Sequence, residues 1–323
     1  MNWGTLISAV DAHDSFLLSS HLSLDGDCVG SQLALLWYLK SKGKKAAIFC
    51  ADPIPRKLTF LENSELITQN EPNENFDALV ILDCSNIKRI GWDHGKINPK
   101  IIINIDHHRD NTDFGDLNFV DPTAAATGLV IFSFFRENGI DFPLHVAESL
   151  YTAVMTDTGG FQFSNTSARA LGVCSELTAM GVDCARIYEK VYSSHTREGL
   201  TLLSRVWSTL QFHIDGKVCS MDMPLSILDE IGAKYSDSEG MADNTIIADG
   251  VEVGIMTKHS LEETHFSLRS KGKIDVGKLA KTIFGGGGHS CAAGCTMPMP
   301  YEEAMGKMLD ILEKELESKL LLV

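Results

Sequence analysis

The triplet Asp106-His107-His108 follows the apolar run Ile101-Ile102-Ile103-Asn104-Ile105, so a carboxylate and two imidazoles collect at the end of one strand candidate. Neutral imidazole and carboxylate are the side chains that hold Mn²⁺, Fe²⁺ or Zn²⁺. Other segments bring the same groups. His21-Leu22-Ser23-Leu24-Asp25-Gly26-Asp27 follows the strand candidate Ser15 to Ser20, Asp83 ends another, and Asp157 follows the apolar run Leu150 to Met155. Any one of these aspartates alone reads as a helix cap or a turn residue. Agreement among separate segments points to a metal centre.

Asp25, Asp27, Asp83 and Asp157 supply four negative charges, which match two divalent cations. With His21 and His107 added, each ion receives three or more ligands if one carboxylate bridges, and positions remain for water. An oxygen-rich set with few imidazoles suits Mn²⁺- or Mg²⁺-like coordination better than closed tetrahedral zinc. Two such ions, about 3.5–4 Å apart, acidify a bridging water and neutralise phosphoryl oxygens during in-line displacement. The chemistry expected is phosphoester hydrolysis. Ligand and metal charges cancel in this count, so a bound phosphate needs further donors, for which His108, Arg109, Arg269, Lys271 and Lys273 are candidates. A protonated His108 would stabilise developing charge or protonate a leaving oxygen. The run Gly285-Gly286-Gly287-Gly288-His289 lacks the Lys-Ser/Thr ending of a Walker loop, yet four glycines permit backbone N–H groups to converge on an anion.

These residues need a scaffold. Ser15 to Ser20, Ala46 to Cys50, Ala78 to Asp83 and Ile101 to Asp106 are strand candidates, and Ser31 to Lys42 is a helix candidate started by Gly30-Ser31. Apolar strands alternating with helices predict an α/β domain with a mostly parallel, doubly covered sheet, and its ligand crevice lies beyond the carboxyl ends of the strands. Further helices are expected at roughly Ala124 to Asn138, Leu144 to Met155 and Ser167 to Met180. An amphipathic segment from Tyr188 to Phe212 reads as a linker helix. Beyond it, Lys217 to Met221, Val251 to Thr257 and Thr264 to Arg269 read as strands, followed by a helix over Val276 to Ile283 and one at the C-terminus, while Ser236 to Asn244 is loop-like. Residues 1–190, 191–213 and 214–323 are thus expected as catalytic domain, linker helix and smaller α/β domain.

A chain of 323 residues suits about two domains. Its formal charge of −15 argues against a broad face for duplex nucleic acid, so an anionic substrate must be held locally. Met1 to Ser20 contains no Lys or Arg and is interrupted by Asp11, His13 and Asp14, which fits neither a signal peptide nor a membrane span. The eight cysteines form no CxxC pair and read as reduced thiols in a cytoplasm.

Taken as an ordered set, His21-x-x-x-Asp25-Gly26-Asp27, Asp83, Asp106-His107-His108, Thr156-Asp157-Thr158-Gly159-Gly160-Phe161 and the glycine run ending in His289 resemble the DHH phosphoesterase superfamily with a DHH-associated C-terminal domain. The resemblance is nearest to its NrnA-type bifunctional oligoribonucleases and pAp phosphatases. It implies an active site in the cleft between the domains, with His21, Asp25 and Asp83 on one metal and Asp27, Asp83, His107 and Asp157 on the other. Asp83 would be the bridge. Asp106 would orient an imidazole, His108 would contact the reacting phosphate, and Arg269 with Gly287, Gly288 and His289 would hold substrate. The implied enzyme uses Mn²⁺, with Mg²⁺ or Co²⁺ as substitutes, removes mononucleotides from very short single-stranded RNA and dephosphorylates 3′-phosphoadenosine 5′-phosphate (pAp). Its setting would be a bacterial or archaeal-type cytoplasm, without duplex nucleic acid or membrane as partner, and a homodimer is compatible. Two positions depart from the family pattern: Cys28 stands where Ala is common, and Gln162 where many relatives carry Arg. A phosphodiesterase for cyclic or linear dinucleotides (c-di-AMP, pApA, pGpG) is the competing activity, and a non-catalytic nucleotide- or RNA-binding protein the competing class.

Overall fold

The computed structural model describes residues 1–238, 240–282, 285–288 and 290–320, the side chains of 319 and 320 excepted. The chain divides into two compact units, residues 1–194 and 195–323.

In the first unit the elements are α1 (Trp3–Ala12), β1 (Ser15–Ser19), α2 (Gly26–Ser41), β2 (Lys45–Phe49), β3 (Ile67–Thr68), β4 (Ala78–Leu82), β5 (Ile101–Asp106), β6 (Leu117–Val120), α3 (Thr127–Glu137), α4 (Leu144–Asp157), α5 (Ala168–Ala179) and α6 (Cys184–Tyr192). The strands form one parallel sheet in the order β3-β2-β1-β4-β5-β6. Every residue of β4 is buried, as expected for a central strand covered on both faces. The strand order reverses between β1 and β4, and in sheets of this kind that reversal opens a crevice beyond the carboxyl ends of the two strands. His21 and Asp83 lie just past those two ends.

Helix α2 begins a full turn earlier than the expected start at Gly30-Ser31. The Asp25 carboxylate accepts hydrogen bonds from the Asp27 and Cys28 N–H groups, both at 3.0 Å, and so caps a helix whose first residue is Gly26. Three close helix contacts explain glycines that would otherwise weaken helices. A Cβ at Gly26 would lie 2.4 Å from Thr156 Oγ1, one at Gly30 would lie 2.2 Å from the Ser149 carbonyl oxygen, and one at Gly128 would lie 2.5 Å from Ala153 Cβ. These contacts draw the N-terminal ends of α2 and α3 against the C-terminal half of α4. Aromatic rings fill the far side of the layer, with Tyr38 and Phe134 edge to face at 5.1 Å and Trp3 stacked on Phe119 at 5.6 Å.

The second unit holds α7 (Arg197–Trp207), β7 (Gln211–His213), β8 (Val218–Pro224), α8 (Ser226–Ile231), β9 (Val253–His259), β10 (Thr264–Ser270), α9 (Val276–Lys281), β11 (Gly287–Gly288), β12 (Ala292–Met297) and α10 (Tyr301–Leu320). Its mixed sheet runs β11-β12-β10-β9-β8-β7, parallel only between β8 and β9. Ala280 from α9 and Ala304, Met308 and Leu312 from α10 belong to the same core as Ile255, Phe266 and Leu268 of the sheet.

The segment from Tyr188 to Phe212 is not one linker helix. It contains the end of α6, a break at 193–196, all of α7, and the start of β7. Thr196 makes the break by accepting the Gly199 N–H at 2.8 Å, which starts a new helix there. The stretch expected as loop over Ser236 to Asn244 includes 3₁₀ turns at Tyr235–Ser238 and Met241–Ile246. The expected end of α9 at Ile283 falls outside the described residues. Among the described residues, no helix is long and apolar enough to cross a membrane.

Gly30→Ala is expected to destabilise the protein by about 1–3 kcal/mol through overpacking. Gly172→Ala, inside α5 with open space around it, is expected to stabilise by about 0.5–1 kcal/mol. Denaturant midpoints measured in parallel test this pair, and a Gly30→Ala midpoint at or above wild type contradicts the packing argument.

Candidate metal centre

Two loops and two element ends build the centre. After β1, the Ser23 N–H donates to Asp52 Oδ2 at 2.6 Å and the Leu22 N–H to the Arg89 carbonyl at 2.8 Å, which pins the loop carrying His21 and Asp25. His21 Nδ1 donates to the Leu22 carbonyl at 2.6 Å, since a carbonyl only accepts. That leaves Nε2 facing Asp83 Oδ2 at 3.5 Å and Asp25 Oδ2 at 3.8 Å. Asp83 itself has φ of 53°, a left-handed conformation costing of order 1–3 kcal/mol that persists because its surroundings fix it. Its N–H donates to the Ile105 carbonyl at 3.0 Å, and Thr127 Oγ1 donates to its Oδ1 at 3.2 Å.

Asp27, in the first turn of α2, is buried against the start of α3. Its Oδ2 accepts the Thr127 N–H at 2.6 Å, and its Oδ1 accepts the Gly128 N–H at 2.8 Å and Ser31 Oγ at 3.0 Å. The positive end of the α3 dipole favours a carboxylate there. His107 Nδ1 donates to the Ala124 carbonyl at 3.2 Å. Its Nε2 then faces Asp83 at 3.5 Å, Asp157 at 3.6 Å and Asp27 at 3.8 Å. His108 turns differently, donating from Nδ1 to Asp106 Oδ1 at 2.6 Å.

Three groups of donor atoms lie within 4.8 Å of one another: His21, Asp25, Cys28 and Asp83; Asp83, Asp106, His107 and His108; and Asp27, His107 and Asp157. All six expected metal ligands are therefore brought together, with Asp83 common to two groups. Cys28 joins the first group unexpectedly. Its Sγ accepts the Asp25 N–H at 3.1 Å, so it completes the cap on α2, and burial pushes its thiol well above the usual range. In the second group Asp106 is committed elsewhere, because its other oxygen accepts from Asn111 Nδ2 at 2.5 Å.

The donor set carries more buried negative charge than it neutralises. Burial, then the charges of Asp83, Asp157 and Asp25, hold the Asp27 carboxyl well above the carboxylate range. Burial and the Asp83 and Asp25 charges push Asp157 up to about 7, against the pull of His107 and His108. Asp83 lies below the usual range: burial opposes this, but the His21 hydrogen bond and the charges of His108, His21 and His107 outweigh it. His21 rises to about 9 although burial opposes it, because Asp83 and Asp25 stabilise its proton. The same contest, won by Asp106, raises His108. Carboxylates that hold protons and an imidazole that stays charged mark a site short of positive charge, and divalent cations fit it.

Of the expected phosphate donors, His108 lies in this centre and Arg109 is exposed beside it in sequence. The rest belong to the second unit. Arg269 bonds Asp243 and the Leu268 carbonyl, Lys271 bonds the Ala248 carbonyl at 3.0 Å, and Lys273 pairs with Glu252. Gly287 and Gly288 form β11 against Gly294 and Ala293, so the glycine run contributes a short strand rather than an open loop. Close packing also accounts for Gly286 and Gly288, whose Cβ atoms would lie 2.4 Å from the Ala280 carbonyl and 2.5 Å from the Ala292 carbonyl. His289 lies outside the described residues. Gln162 is exposed beyond Phe161, whose φ is 71°.

Sequence reasoning passed over Arg89, Asn104 and Asn111. Arg89 sits in the 3₁₀ turn Ile87–Ile90, and its charge works against the protons on His21 and His108. An Arg in the turn after Asp83 was the available signal. For Asn104 the signal was a polar residue inside an apolar strand.

Switch-point carboxylates and paired imidazoles on a parallel sheet define a divalent-metal-dependent hydrolase. Residues 15–154 match the DHH family, N-terminal domain, and residues 216–318 the DHHA1 domain. The chain is 32% identical over 303 residues to the bifunctional oligoribonuclease and PAP phosphatase NrnA of Thermus thermophilus, covering 93% of this chain and 89% of that protein. It is 24% identical to the NrnA of Bacillus subtilis, covering 95% and 96%. An exopolyphosphatase-related protein from Bacteroides fragilis has a similar structure, with a TM-score of 0.90, 28% identity, and coverage of 99% of this chain and 97% of that one. The chain belongs to the DHH superfamily, as an NrnA-like protein with a DHHA1 second domain.

A divalent cation must displace the protons held at Asp157 and His21. Mn²⁺ affinity is therefore expected to rise with pH, because Asp157 loses its proton near 7 and His21 near 9. Titration calorimetry between about pH 6 and 8, in buffers of different ionisation enthalpy, counts the released protons. An affinity indifferent to pH, with no proton release, contradicts the centre.

Proposed function

We propose that this protein is a two-metal phosphoesterase that releases 5′-mononucleotides from very short RNA and converts pAp to AMP, with Mn²⁺ as its preferred ion. The observation carrying this reading is Asp83, which belongs to two overlapping ligand groups and faces both His21 and His107. The activities for which the Thermus and Bacillus relatives are named support the substrates. Eight free cysteines, six of them fully buried, support a reducing cytoplasm.

Divalent cations held by this set would supply charge to neutralise phosphoryl oxygens and to lower the pKa of the attacking water. The protein's own groups do the rest. His21, Asp25 and Asp83 would hold one cation, and Asp27, Asp83, His107 and Asp157 the other. Asp106 grips His108 through Nδ1 and keeps the opposite ring nitrogen available to the reacting phosphate, where its proton stabilises charge or reaches the leaving oxygen. Arg109 and Arg89 add positive charge on the phosphate side.

Mn²⁺-loaded protein is expected to release mononucleotides from RNA of about two to five residues and phosphate from pAp, followed by chromatography alongside pGpG and c-di-AMP. Intact binding without release from any of them would favour a non-catalytic nucleotide-binding protein. Asp83→Asn is expected to lower both activities by more than about 100-fold, beyond what loss of an outer partner costs. Asn tolerates the left-handed backbone at this position, so the fold should survive. Wild-type turnover in that variant sinks the shared-carboxylate assignment.

A further inference from the structure

The residues that would hold the second cation, Asp27, Asp83, His107 and Asp157, meet a single stretch of main chain. Ala124-Ala125-Ala126-Thr127-Gly128 follows β6 and runs into the first turn of α3, and its small, buried residues let the backbone itself come close to its neighbours. Ala126, the N-cap of α3, has no side-chain oxygen to cap the helix, so the Thr127 and Gly128 N–H groups remain for Asp27, at 2.6 and 2.8 Å. Thr127 Oγ1 donates to Asp83 at 3.2 Å, and the Ala124 carbonyl accepts from His107 Nδ1 at 3.2 Å. Among the described residues, no hydrogen bond joins His21 or Asp25 to this stretch.

Asp157 comes from elsewhere, as the last residue of α4, and Asn165 makes its connection. Asn165 Nδ2 donates to the Asp157 carbonyl at 3.0 Å and to the Ala125 carbonyl at 3.2 Å. Neither carbonyl receives another hydrogen bond among the described residues. Two carbonyl oxygens brought together repel, and an NH₂ group between them offers each a proton; since carbonyls only accept, the amide has one orientation. The turn that carries it is held in place as well. The Gln162 and Phe163 N–H groups both donate to the Thr158 carbonyl at 3.0 Å, and the Thr166 N–H donates to the Phe163 carbonyl at 3.0 Å. Asn165 is exposed and belongs to none of the ligand groups, so nothing in the sequence singles it out.

We propose that the main chain of Ala124–Gly128 is the template for one of the two cations, and that Asn165 is the positioning residue that brings Asp157 to it. The proposal rests on the two-metal reading above and adds to it that the two positions have separate supports. Without the amide, the end of α4 is free to part from Ala125, which widens the 3.6 Å between Asp157 and His107 Nε2. The position on the His21 loop does not depend on this link. Partners that orient metal ligands from outside contribute about 10–100-fold to metal affinity.

The test measures Mn²⁺ binding, by electron paramagnetic resonance of the free ion, to the metal-free wild type and to two variants. Asn165→Leu keeps the outline of the side chain without its donor, and Asn165→Ala only truncates an exposed residue. Wild type is expected to bind two ions, and each variant to bind one of them about tenfold more weakly and the other within about twofold. Two further backgrounds assign the weakened position. Added to His21→Ala, Asn165→Ala should still cost the remaining ion about tenfold; added to His107→Ala, it should cost nothing. Equal weakening of both ions, no weakening, or a loss that persists beside His107→Ala overturns the positioning role while leaving two metals in place. A wild-type protein that binds a single Mn²⁺ overturns the two-metal reading, and the template with it.

Discussion

Buried like charges are the constraint around which the first unit is organised. Asp27 and Asp83 are almost wholly buried, and His107 Nε2 lies within 3.8 Å of both and of Asp157. Removing even one ion from water costs several kcal/mol unless its charge is balanced. The protein supplies N–H and hydroxyl donors to Asp27, which orient its oxygens without cancelling their charge, and imidazoles to Asp83, whose charges offset only part of the buried negative charge. What remains is met by protons or by cations. The raised positions of Asp27, Asp157 and His21 express that competition, and cation binding resolves it by exchanging protons for a charge the site is shaped to hold.

Helix packing decides which carboxylate bears the strain. Gly26, Gly30 and Gly128 let α2 and α3 approach α4 closely enough for their ends to meet, so Asp27 and Asp157 face one another's charge. The two sit at opposite helix ends. Asp27 is met by the N-terminal N–H groups of α3, whereas Asp157 is the last residue of α4, where the helix dipole disfavours an anion. Asp157 thus lacks the backbone donors that Asp27 has. The tight glycine contacts cannot relax to separate these charges without moving whole helices.

Much of the first unit could be read from the chain because burial on both faces leaves a plain signature. β4 and β5 are near-continuous apolar runs, the first followed directly by Asp83 and the second ending on Asp106. Ends governed by side-chain hydrogen bonds were harder. Asp25 looked like part of a turn, since nothing local distinguishes a capping aspartate from a liganding one, and here it caps α2 and also lies in a candidate ligand group. Helix α1 and strand β6 escaped notice because they draw their stability from contacts distant in sequence, such as Trp3 on Phe119. The glycine run was read as an anion cradle. Strand pairing and close packing account for Gly286, Gly287 and Gly288, and neither constraint is visible without the partner strand.

The orientation of His108 is settled by a hydrogen-bond path that begins inside the sheet, at Asn104 of β5. Asn104 is fully buried, and its Nδ2 donates to the carbonyls of Ile81 and Cys84, both at 3.3 Å. Carbonyls only accept, so the Asn104 amide has one assignment and its Oδ1 must accept in turn. It accepts from Asn111 Nδ2 at 2.7 Å, and the same NH₂ group donates to Asp106 Oδ2. The Asn111 assignment is checked independently by its Oδ1, which accepts the Asp113 N–H at 2.7 Å. With one oxygen so engaged, Asp106 presents the other to His108 Nδ1, which must therefore carry the proton. Asp106, for which burial alone would favour protonation, stays below the usual carboxylate range because of that bond. Every donor and acceptor along this path has a single consistent direction, starting from the carbonyls of Ile81 and Cys84. The three members of the Asp106-His107-His108 triplet thus differ in geometry although they are adjacent in sequence: one carboxylate held from within the sheet, one imidazole aimed at three carboxylates, and one imidazole aimed away from its own anchor.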